Sequence, residues 1–165
     1  MKYYLITDTH FNHEAMIEFC GRPENFNEII MKGLKNLPDN IYLIHLGDIC
    51  IGKDEEVHNK LSSLPYKKIL VRGNHDNKSN SWYLEHGWDF VCDQFTFEYG
   101  GKKILFSHYP VAWDGYYDLN IHGHFHNSDH RRHEEHFLKL KNGYQKLLAI
   151  EYTNYLPVSL ESFIK

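Results

Sequence analysis

Aspartate, asparagine and histidine residues recur directly after the apolar stretches of this sequence, where the chain would leave a strand. They form five segments, in chain order Asp8-Thr9-His10, Gly47-Asp48, Gly73-Asn74-His75-Asp76, His108 and Gly123-His124-Phe125-His126. Carboxylate, amide and imidazole groups are ligands suited to manganese, iron or zinc, and thiolates are absent from the set. Histidine is also abundant, with 13 residues among 165. The pattern therefore indicates a metal site that several parts of the chain build together.

The apolar stretches themselves predict the strands that must position these side chains. We predict strands at Tyr3–Thr7, Ile41–Leu46, Lys68–Arg72, Phe90–Tyr99 (with a break), Lys102–Ser107, Leu119–His122 and Lys146–Tyr152. Apolar residues at helical spacing predict helices over Glu14–Cys20, Asn27–Leu37 and Asp54–Leu64. Strands alternate with helices in the first half, which indicates parallel pairing there.

The second half changes character, because shorter strands follow one another around a turn at Tyr99-Gly100-Gly101-Lys102. Mostly antiparallel pairing is expected in this half. We therefore predict an α/β fold in which two mixed β-sheets pack as a sandwich with flanking helices. Residues 1–165 are expected to form a single domain.

In open α/β sheets, ligands gather at the carboxyl ends of the strands. The five segments are therefore expected to converge on one crevice. Asp8 and His10 are two residues apart, as are His124 and His126, and such pairs point the same way in extended backbone. The glycines at positions 47, 73 and 123 allow tight turns where the ligands must approach one another.

Taken in order, these segments resemble the signature of the calcineurin-like metallophosphoesterase superfamily, which is DxH, GD, GNH followed by an acid, a lone His, and GHxH. The resemblance runs from Asp8 to His126. The segments Asp-Thr-His-Phe-x-His, Arg-Pro and Ser-His-Tyr-Pro are similar to those of the small, single-domain bacterial and phage members. The resemblance implies the αββα-layered fold of that superfamily and hydrolysis of phosphate esters.

The resemblance also implies a role for each matching residue. One metal would be held by Asp8, His10 and His126, and a second by Asn74, His108 and His124, with Asp48 bridging both. Two such cations would share one hydroxide and aim it at phosphorus. We favour manganese, with iron, zinc or nickel as alternatives.

His75 would face the scissile phosphate and protonate the leaving alkoxide. Asp76 is a candidate to orient His75 through a hydrogen bond, and a solvated turn residue is the alternative. Three further residues are candidates for substrate contact. Arg22 would clamp a phosphate, with a surface loop arginine as the alternative. His13 would touch substrate beside the metals or else cap a helix, and Tyr109 would line the pocket or else only pack.

Other histidines are interpreted without a direct role. His45 and His122 lie at an odd offset from ligand positions, so we expect them on the opposite face, in the core or behind the ligands. His58 and His86 lie in polar, helical surroundings and are predicted to be surface residues. The charged segment 129–136 is interpreted as a solvated loop or helix face near the pocket mouth, from which Arg131 or Arg132 would reach an anionic substrate.

Composition limits the classes of function. Hydrophobic residues make up 42% of the chain, and no apolar run is long enough to span a bilayer. Three cysteines without a CxxC pair indicate buried free thiols. A cytoplasmic location is expected by default, because the N-terminal residues read as a strand and not as a signal peptide. The formal net charge of −4 argues against binding that depends on a nucleic acid backbone alone.

We therefore expect a phosphodiesterase that acts on small diesters, nucleotides or short oligonucleotides, with no obligate protein partner. A phosphomonoesterase of the same fold is the alternative. A metal-binding scaffold without activity is a third hypothesis, which the presence of all these residues disfavours.

Overall fold

A computed structural model describes residues 1–127 and 143–165. The strands are β1 (Lys2–Ile6), β2 (Ile41–His45), β3 (Lys67–Val71), β4 (Phe90–Cys92), β5 (Gln94–Tyr99), β6 (Lys102–Ser107), β7 (Leu119–His122), β8 (Gln145–Leu147) and β9 (Val158–Ser159). The helices are α1 (Ala15–Cys20), α2 (Phe26–Lys35), α3 (Asp54–Ser62), α4 (Asn80–Glu85) and α5 (Leu160–Phe163), and a 3₁₀ helix covers Ile150–Thr153.

The strands form two mixed sheets, as the sequence predicted. The first sheet has the order β4-β3-β2-β1-β9, in which the first four strands are parallel and β9 is antiparallel to β1. The second sheet has the order β5-β6-β7-β8. The expected α/β architecture, with two sheets and flanking helices, is confirmed.

Pairing in the second sheet differs from the expectation of mostly antiparallel strands. Only β5 and β6, which a tight turn joins, are antiparallel; β6–β7 and β7–β8 are parallel. The physical reason is the length of the connections. The connections formed by residues 108–118 and 123–144 are long enough to return the chain to the end of the sheet at which the preceding strand began. A two-residue turn cannot do this.

Alternation along each strand of the first sheet produces two apolar layers. Leu5 and Ile44 face the second sheet, where they pack with Phe106 and Ile121, and all four are buried. The neighbouring residues on the same strands face the helices, and this outer layer contains Ile6, Leu43, Leu34, Val57, Leu61 and Tyr83. The two sheets are therefore packed face to face. This packing fixes the positions of the carboxyl-terminal strand ends of one sheet relative to those of the other.

The structure corrects three details of the predicted elements. The last predicted strand, Lys146–Tyr152, ends at Leu147, and the chain then enters the 3₁₀ helix. Helix α4 was predicted only as helical surroundings of His86, without bounds; the Ser79 side chain caps it by accepting a hydrogen bond from the Trp82 amide. His58, expected at the surface, is buried on α3, where its Nδ1 accepts a hydrogen bond from Trp88 Nε1 at 2.9 Å.

Three further histidines and the three cysteines are buried or half-buried. His86 is half-buried and stacks on Trp82, so it is less exposed than expected. His45 and His122 are buried, as predicted. Cys20 and Cys50 are buried free thiols, and Cys92 is half-buried. The charged segment 129–136, with Arg131 and Arg132, lies outside the described residues.

No helix among the described residues is both long and apolar enough to cross a membrane.

Candidate metal centre

The loops that follow the strands are hydrogen-bonded to one another at the carboxyl ends of both sheets. The Asp8 amide donates to Gly47 O at 2.9 Å, and the His10 amide donates to Asp48 O at 3.0 Å. In the second sheet, the Gly123 amide donates to His108 O at 3.0 Å. These backbone bonds bring the predicted segments together in one crevice.

Two glycines permit the closest approach between these loops. A Cβ atom on Gly73 would overlap the Asp48 carboxylate, and one on Gly123 would overlap Thr7 and the Asp8 carboxylate. These positions therefore exclude any side chain, because the carboxylates of neighbouring loops occupy the space.

Five of the acidic and histidine residues at the site have a left-handed rather than an extended backbone. The φ angles are 47° at Asp8, 46° at His10, 58° at Asp48, 71° at His124 and 52° at His126. The expectation that the paired residues share a direction because the chain is extended is therefore wrong. Residues other than glycine adopt this conformation at a cost of about 1–3 kcal/mol each, and such strain clusters at functional sites. At Asp8 and His10, backbone hydrogen bonds to the loop after β2 hold this conformation.

Asp8, His10 and His126 form the first group of donors. Asp8 Oδ1 lies 3.9 Å from His10 Nε2 and 3.7 Å from His126 Nε2. The other oxygen of Asp8 is held by the Thr7 hydroxyl at 2.6 Å and by the His124 amide at 3.0 Å. One oxygen of the carboxylate is thus bound to the protein, and the other faces the two imidazoles.

Asp48 connects this group to a second one. Its Oδ1 accepts a hydrogen bond from the His75 amide at 2.8 Å. Its Oδ2 lies 3.6 Å from His10 Nε2 and 3.4 Å from His108 Nε2. On the far side, His108 Nε2 is 3.2 Å from His124 Nδ1 and 3.1 Å from Asn74 Oδ1.

Both groups have the chemistry and spacing of metal ligands. Metal bonds of about 2.0–2.2 Å place neighbouring ligand atoms roughly 3–4 Å apart. Asp8 Oδ1 and His10 Nε2 are buried and have no hydrogen-bond partner among the described residues. Donor atoms of Asp8, His10 and His126 lie within 4.8 Å of one another, as do those of Asp48, His108 and His124. The side chains therefore fit divalent metal ions.

Electrostatics at the site also favour a positive charge. Burial lowers the pKa of His108, but the hydrogen bond to Asp48 and the nearby Asp8 carboxylate outweigh this effect and raise it to about 9. Burial raises the pKa of the Asp48 carboxyl, yet His108 and His10 together bring it below its usual value. The carboxylates thus stabilise a cation between the loops, whether it is a proton on His108 or a metal ion.

Contacts at the far ring nitrogens orient two of the imidazoles. His108 Nδ1 donates to the Leu46 carbonyl at 2.7 Å, which directs Nε2 towards Asp48, where a metal ion would replace the Nε2 proton. His126 Nδ1 lies 3.2 Å from Glu151 Oε1, which leaves Nε2 facing Asp8. Hydrogen bonds of this kind set the tautomer and direction of metal-binding histidines.

His75, His13 and Tyr109 lie around these donors. The half-buried His75 has its Nε2 4.0 Å from Asp48 Oδ2. Its ring centroid is 5.3 Å from that of His10 and 6.2 Å from that of His13. Tyr109 packs on His124, with ring centroids 4.3 Å apart, and its hydroxyl donates to Asn74 Oδ1 at 3.1 Å.

The structure places Asp76 differently from either sequence interpretation. Its buried carboxylate accepts hydrogen bonds from the amides of Gly73, Asp48 and Ile49 at 2.7, 2.8 and 3.1 Å. It is neither a solvated turn residue nor aimed at the His75 ring. Asp76 instead joins the loop after β3 to the loop after β2.

Arg22 also departs from its predicted place. The side chain is buried, so it is neither a phosphate clamp nor a surface arginine. Its guanidinium contacts Glu151 Oε1 at 2.7 Å and donates to the carbonyls of Asp8 and Thr9 at 2.7 and 2.9 Å. The reason is that α1 returns the chain behind the loop after β1 rather than across the opening.

Glu151 is the residue that sequence reasoning missed. Its carboxylate touches both Arg22 and His126, although no motif contains it. One signal was present in the sequence, because Glu151 is a lone charge within the apolar run Leu147-Leu148-Ala149-Ile150-Glu151-Tyr152. A charge in such a run requires a buried partner.

The fold of two packed sheets and this cluster of aspartate and histidine donors are the features of a metal-dependent phosphoesterase. The family model of the calcineurin-like phosphoesterases matches residues 1–156, and the chain belongs to this family. Members of the family are phosphoesterase enzymes that use divalent metal ions.

Three proteins illustrate what this chain is similar to. The uncharacterized protein MJ1445 of Methanocaldococcus jannaschii is 30% identical over 177 residues, which cover 99% of this chain and 90% of that protein. AQ665 of Aquifex aeolicus, a protein of unknown function, has a solved structure with a TM-score of 0.74 and 30% identity, covering 98% of this chain and 96% of its own. A structure described as a novel archaeal phosphodiesterase has a TM-score of 0.46 and 20% identity, covering 75% of this chain and 73% of its own.

Proposed function

We propose that this protein hydrolyses small phosphodiesters with the help of two divalent cations, of which manganese is the one we favour. One observation carries the proposal. Asp48 Oδ2 faces two adjoining groups of donors, at 3.6 Å from His10 Nε2 and 3.4 Å from His108 Nε2. A single carboxylate oxygen in that position suits a pair of cations about 3.5–4 Å apart.

The residues would divide between the two cations. Asp8, His10 and His126 would hold one, and Asn74, His108 and His124 would hold the other, with Asp48 shared. When bound, the cations would supply an activated water and neutralise charge on the phosphoryl oxygens. The protein would keep the donors in place without rearrangement, because hydrogen bonds already hold the second oxygen of both carboxylates.

His75 would act on the substrate rather than on the cations. Its backbone amide is used by Asp48, while its ring is half-exposed and lies beside His10 and His13. An imidazolium there would protonate the leaving alkoxide, a role typically worth about 10²–10⁴-fold in rate. His13, at the same edge, is proposed to contact the substrate.

The charge around the site favours a diester over a monoester. A monoester dianion benefits from cationic clamps beyond the metals. Arg22, the residue expected to supply one, is buried and engaged with Glu151. The guanidinium of Arg72, in the wall of the neighbouring cavity, donates to Asn80 Oδ1 at 3.0 Å and to the Asp76 carbonyl at 3.4 Å. A diester carries one charge fewer and needs a protonated leaving group, which suits His75. The net charge of −4 also supports small diesters or short oligonucleotides over long nucleic acid.

A cavity of mixed polar and apolar lining beside the second group supports the same choice. It has a volume of about 250 Å³, and its walls include Asn74, His108, Tyr109, Gln94 and Arg72. A space of this size suits one ester substituent of small-molecule dimensions. We propose that Tyr109 lines the path from this cavity to the metals.

The test compares a phosphomonoester and a phosphodiester that share the same p-nitrophenolate leaving group. Each is assayed with Mn²⁺, Fe²⁺, Zn²⁺ or Ni²⁺ at its optimal pH. The diester is expected to have the higher kcat/KM. Cyclic nucleotides and short oligonucleotides extend the series. Asp48→Asn, prepared identically, controls for contaminating phosphatases.

Two outcomes would contradict the proposal in different ways. A higher kcat/KM for the monoester would replace the diesterase with the alternative monoesterase. Two bound cations without turnover of any ester would instead indicate a non-catalytic metal-binding scaffold.

A further inference from the structure

Glu151 and Arg22 form a buried ion pair directly behind the first group of donors. Glu151 Oε1 accepts hydrogen bonds from Arg22 Nε at 3.0 Å and Arg22 Nη2 at 2.7 Å. The same oxygen lies 3.2 Å from His126 Nδ1. The side chain of Arg22 is 0% exposed and that of Glu151 is 3% exposed, so water cannot substitute for these contacts.

The pair also connects two loops that are distant in sequence. Arg22 donates to the carbonyls of Asp8 and Thr9, in the loop after β1. Glu151, from the 3₁₀ helix that follows β8, contacts His126 in the loop after β7. One guanidinium–carboxylate pair therefore spans the two sheets at the first group of donors.

We propose that Glu151, held by Arg22, is a positioning residue for one of the two metal sites, the one formed by Asp8, His10 and His126. Glu151 keeps the ring proton of His126 on Nδ1, so that Nε2 faces Asp8 Oδ1 with its lone pair available. Arg22 keeps Glu151 in place and holds the loop that bears Asp8 and His10. This inference rests on the proposed two-cation function and adds that the two sites depend on different supporting residues.

The second group has a separate support. His108 Nδ1 donates to the Leu46 carbonyl, and Asn74 Oδ1 accepts from the Tyr109 hydroxyl. Neither contact includes Glu151 or Arg22. Loss of a supporting partner of this kind typically weakens metal binding by about 10–100-fold. The loss of Glu151 is therefore expected to act on one site and leave the other within about threefold of its original affinity, since it removes no contact of that site.

The experiment measures Mn²⁺ binding by isothermal titration calorimetry, in the absence of substrate. Wild type is expected to bind two ions. In Glu151→Met, one of the two dissociation constants is expected to rise by about 10–100-fold. Glu151→Gln retains an acceptor oxygen and is expected to lie between the two. Glu161→Met is the matched control, because Glu161 is exposed and pairs only with Lys165 among the described residues, at 2.9 Å.

The outcomes separate this inference from the proposed function. If wild type binds fewer than two ions, the two-cation function fails. If wild type binds two ions and a folded Glu151→Met binds both equally well, the positioning role is wrong. Thermal unfolding of each variant establishes that it is folded.

A second measurement needs no variant, in case the unpaired Arg22 prevents Glu151→Met from folding. In metal-free wild type labelled with ¹⁵N-histidine, two-bond NMR correlations at pH 8 are expected to show His126 with its proton on Nδ1. A proton on Nε2 would overturn the inference.

Discussion

At the scale of single residues, the candidate site depends on carboxylates whose two oxygens have different tasks. In Asp8 and in Asp48, one oxygen accepts hydrogen bonds from the protein and the other faces histidine nitrogens. The fixed oxygen determines the direction of the free one. The site is therefore prepared for cations before they bind, and the cost of arranging it is met during folding.

Asp48 has the largest expected effect among these residues, because it is shared between the two groups. Asp48→Asn removes a charge and makes one of the two positions a donor. We expect weaker binding at both metal sites and a loss in kcat/KM of at least about 100-fold. Metal titration and steady-state kinetics measure this, with the exposed Asp39→Asn as control. Loss of one ion alone would contradict the shared role.

His75 is expected to affect turnover but not metal retention, because its ring lies at the edge of the donors. His75→Ala should keep its bound metal and its fold while kcat falls by at least about 10²-fold. The loss should be smallest with good leaving groups, which need no proton. Metal analysis and kinetics across a leaving-group series provide the test, and His86→Ala, on the half-buried ring that stacks on Trp82, is the control. Loss of metal from His75→Ala would place His75 among the ligands.

At the scale of the elements, the site depends on clamps between loops rather than on the strands alone. Asp76 is the clamp between the loops after β2 and β3, because its carboxylate accepts three backbone amides. One of these amides belongs to Asp48. The position of the central carboxylate is therefore tied to Asp76, although Asp76 does not face the crevice.

Asp76→Asn is expected to lower the free energy of unfolding by about 1–3 kcal/mol for each buried amide that loses its acceptor. Metal affinity should fall as well, since the amide of Asp48 is no longer held. Denaturant unfolding and metal titration measure the two effects. Asp118→Asn makes the same change at an exposed carboxylate that accepts the Lys103 amide. If both variants lose equal stability, the clamp has no special role.

At the scale of the whole molecule, two apolar layers hold the site from both sides. The layer between the sheets contains Leu5, Ile44, Phe106 and Ile121, and the layer under the helices encloses His58 beside Trp88. The outer layer thus contains an ionisable group that must stay neutral while the protein is folded.

Acid should therefore destabilise the protein through His58. Burial lowers the pKa of His58 to about 4, whereas the unfolded value is about 6.5. Between these values the unfolded chain binds more protons, so the free energy of unfolding falls as the pH drops from about 6.5 to about 4. The slope from one group is at most about 1.4 kcal/mol per pH unit, and it falls to near zero about one pH unit above 6.5.

His58→Gln, which keeps an acceptor for Trp88, should reduce this slope by up to the same amount. Denaturant unfolding at pH 4.5 to 8 measures it, and the values at pH 8 separate the effect of packing from that of protonation. An unchanged slope in His58→Gln would contradict the assignment.

Much of the molecule was determined by local patterns of the sequence. Apolar stretches located β6 and β7 at Lys102–Ser107 and Leu119–His122, as observed. The five segments, taken in order, identified the family. They also supplied the types of donor side chain, because metal binding at the strand ends requires carboxylate, amide and imidazole groups. The role of Gly73 and Gly123 was also predictable from the sequence, since loops that approach one another this closely leave no space for a Cβ atom.

Other features were decided only by the tertiary structure, because they join residues whose separation in the chain leaves no periodic trace. Arg22 meets Glu151 across 129 positions, so the sequence could not show that this arginine is engaged behind the metals. Asp76 turned towards backbone amides, and His58 towards Trp88, for the same reason. The left-handed backbone at Asp8 is held by the hydrogen bond from its amide to Gly47 O, which forms only when β1 and β2 have paired, and the His124 amide reaches the Asp8 carboxylate only after the two sheets have packed.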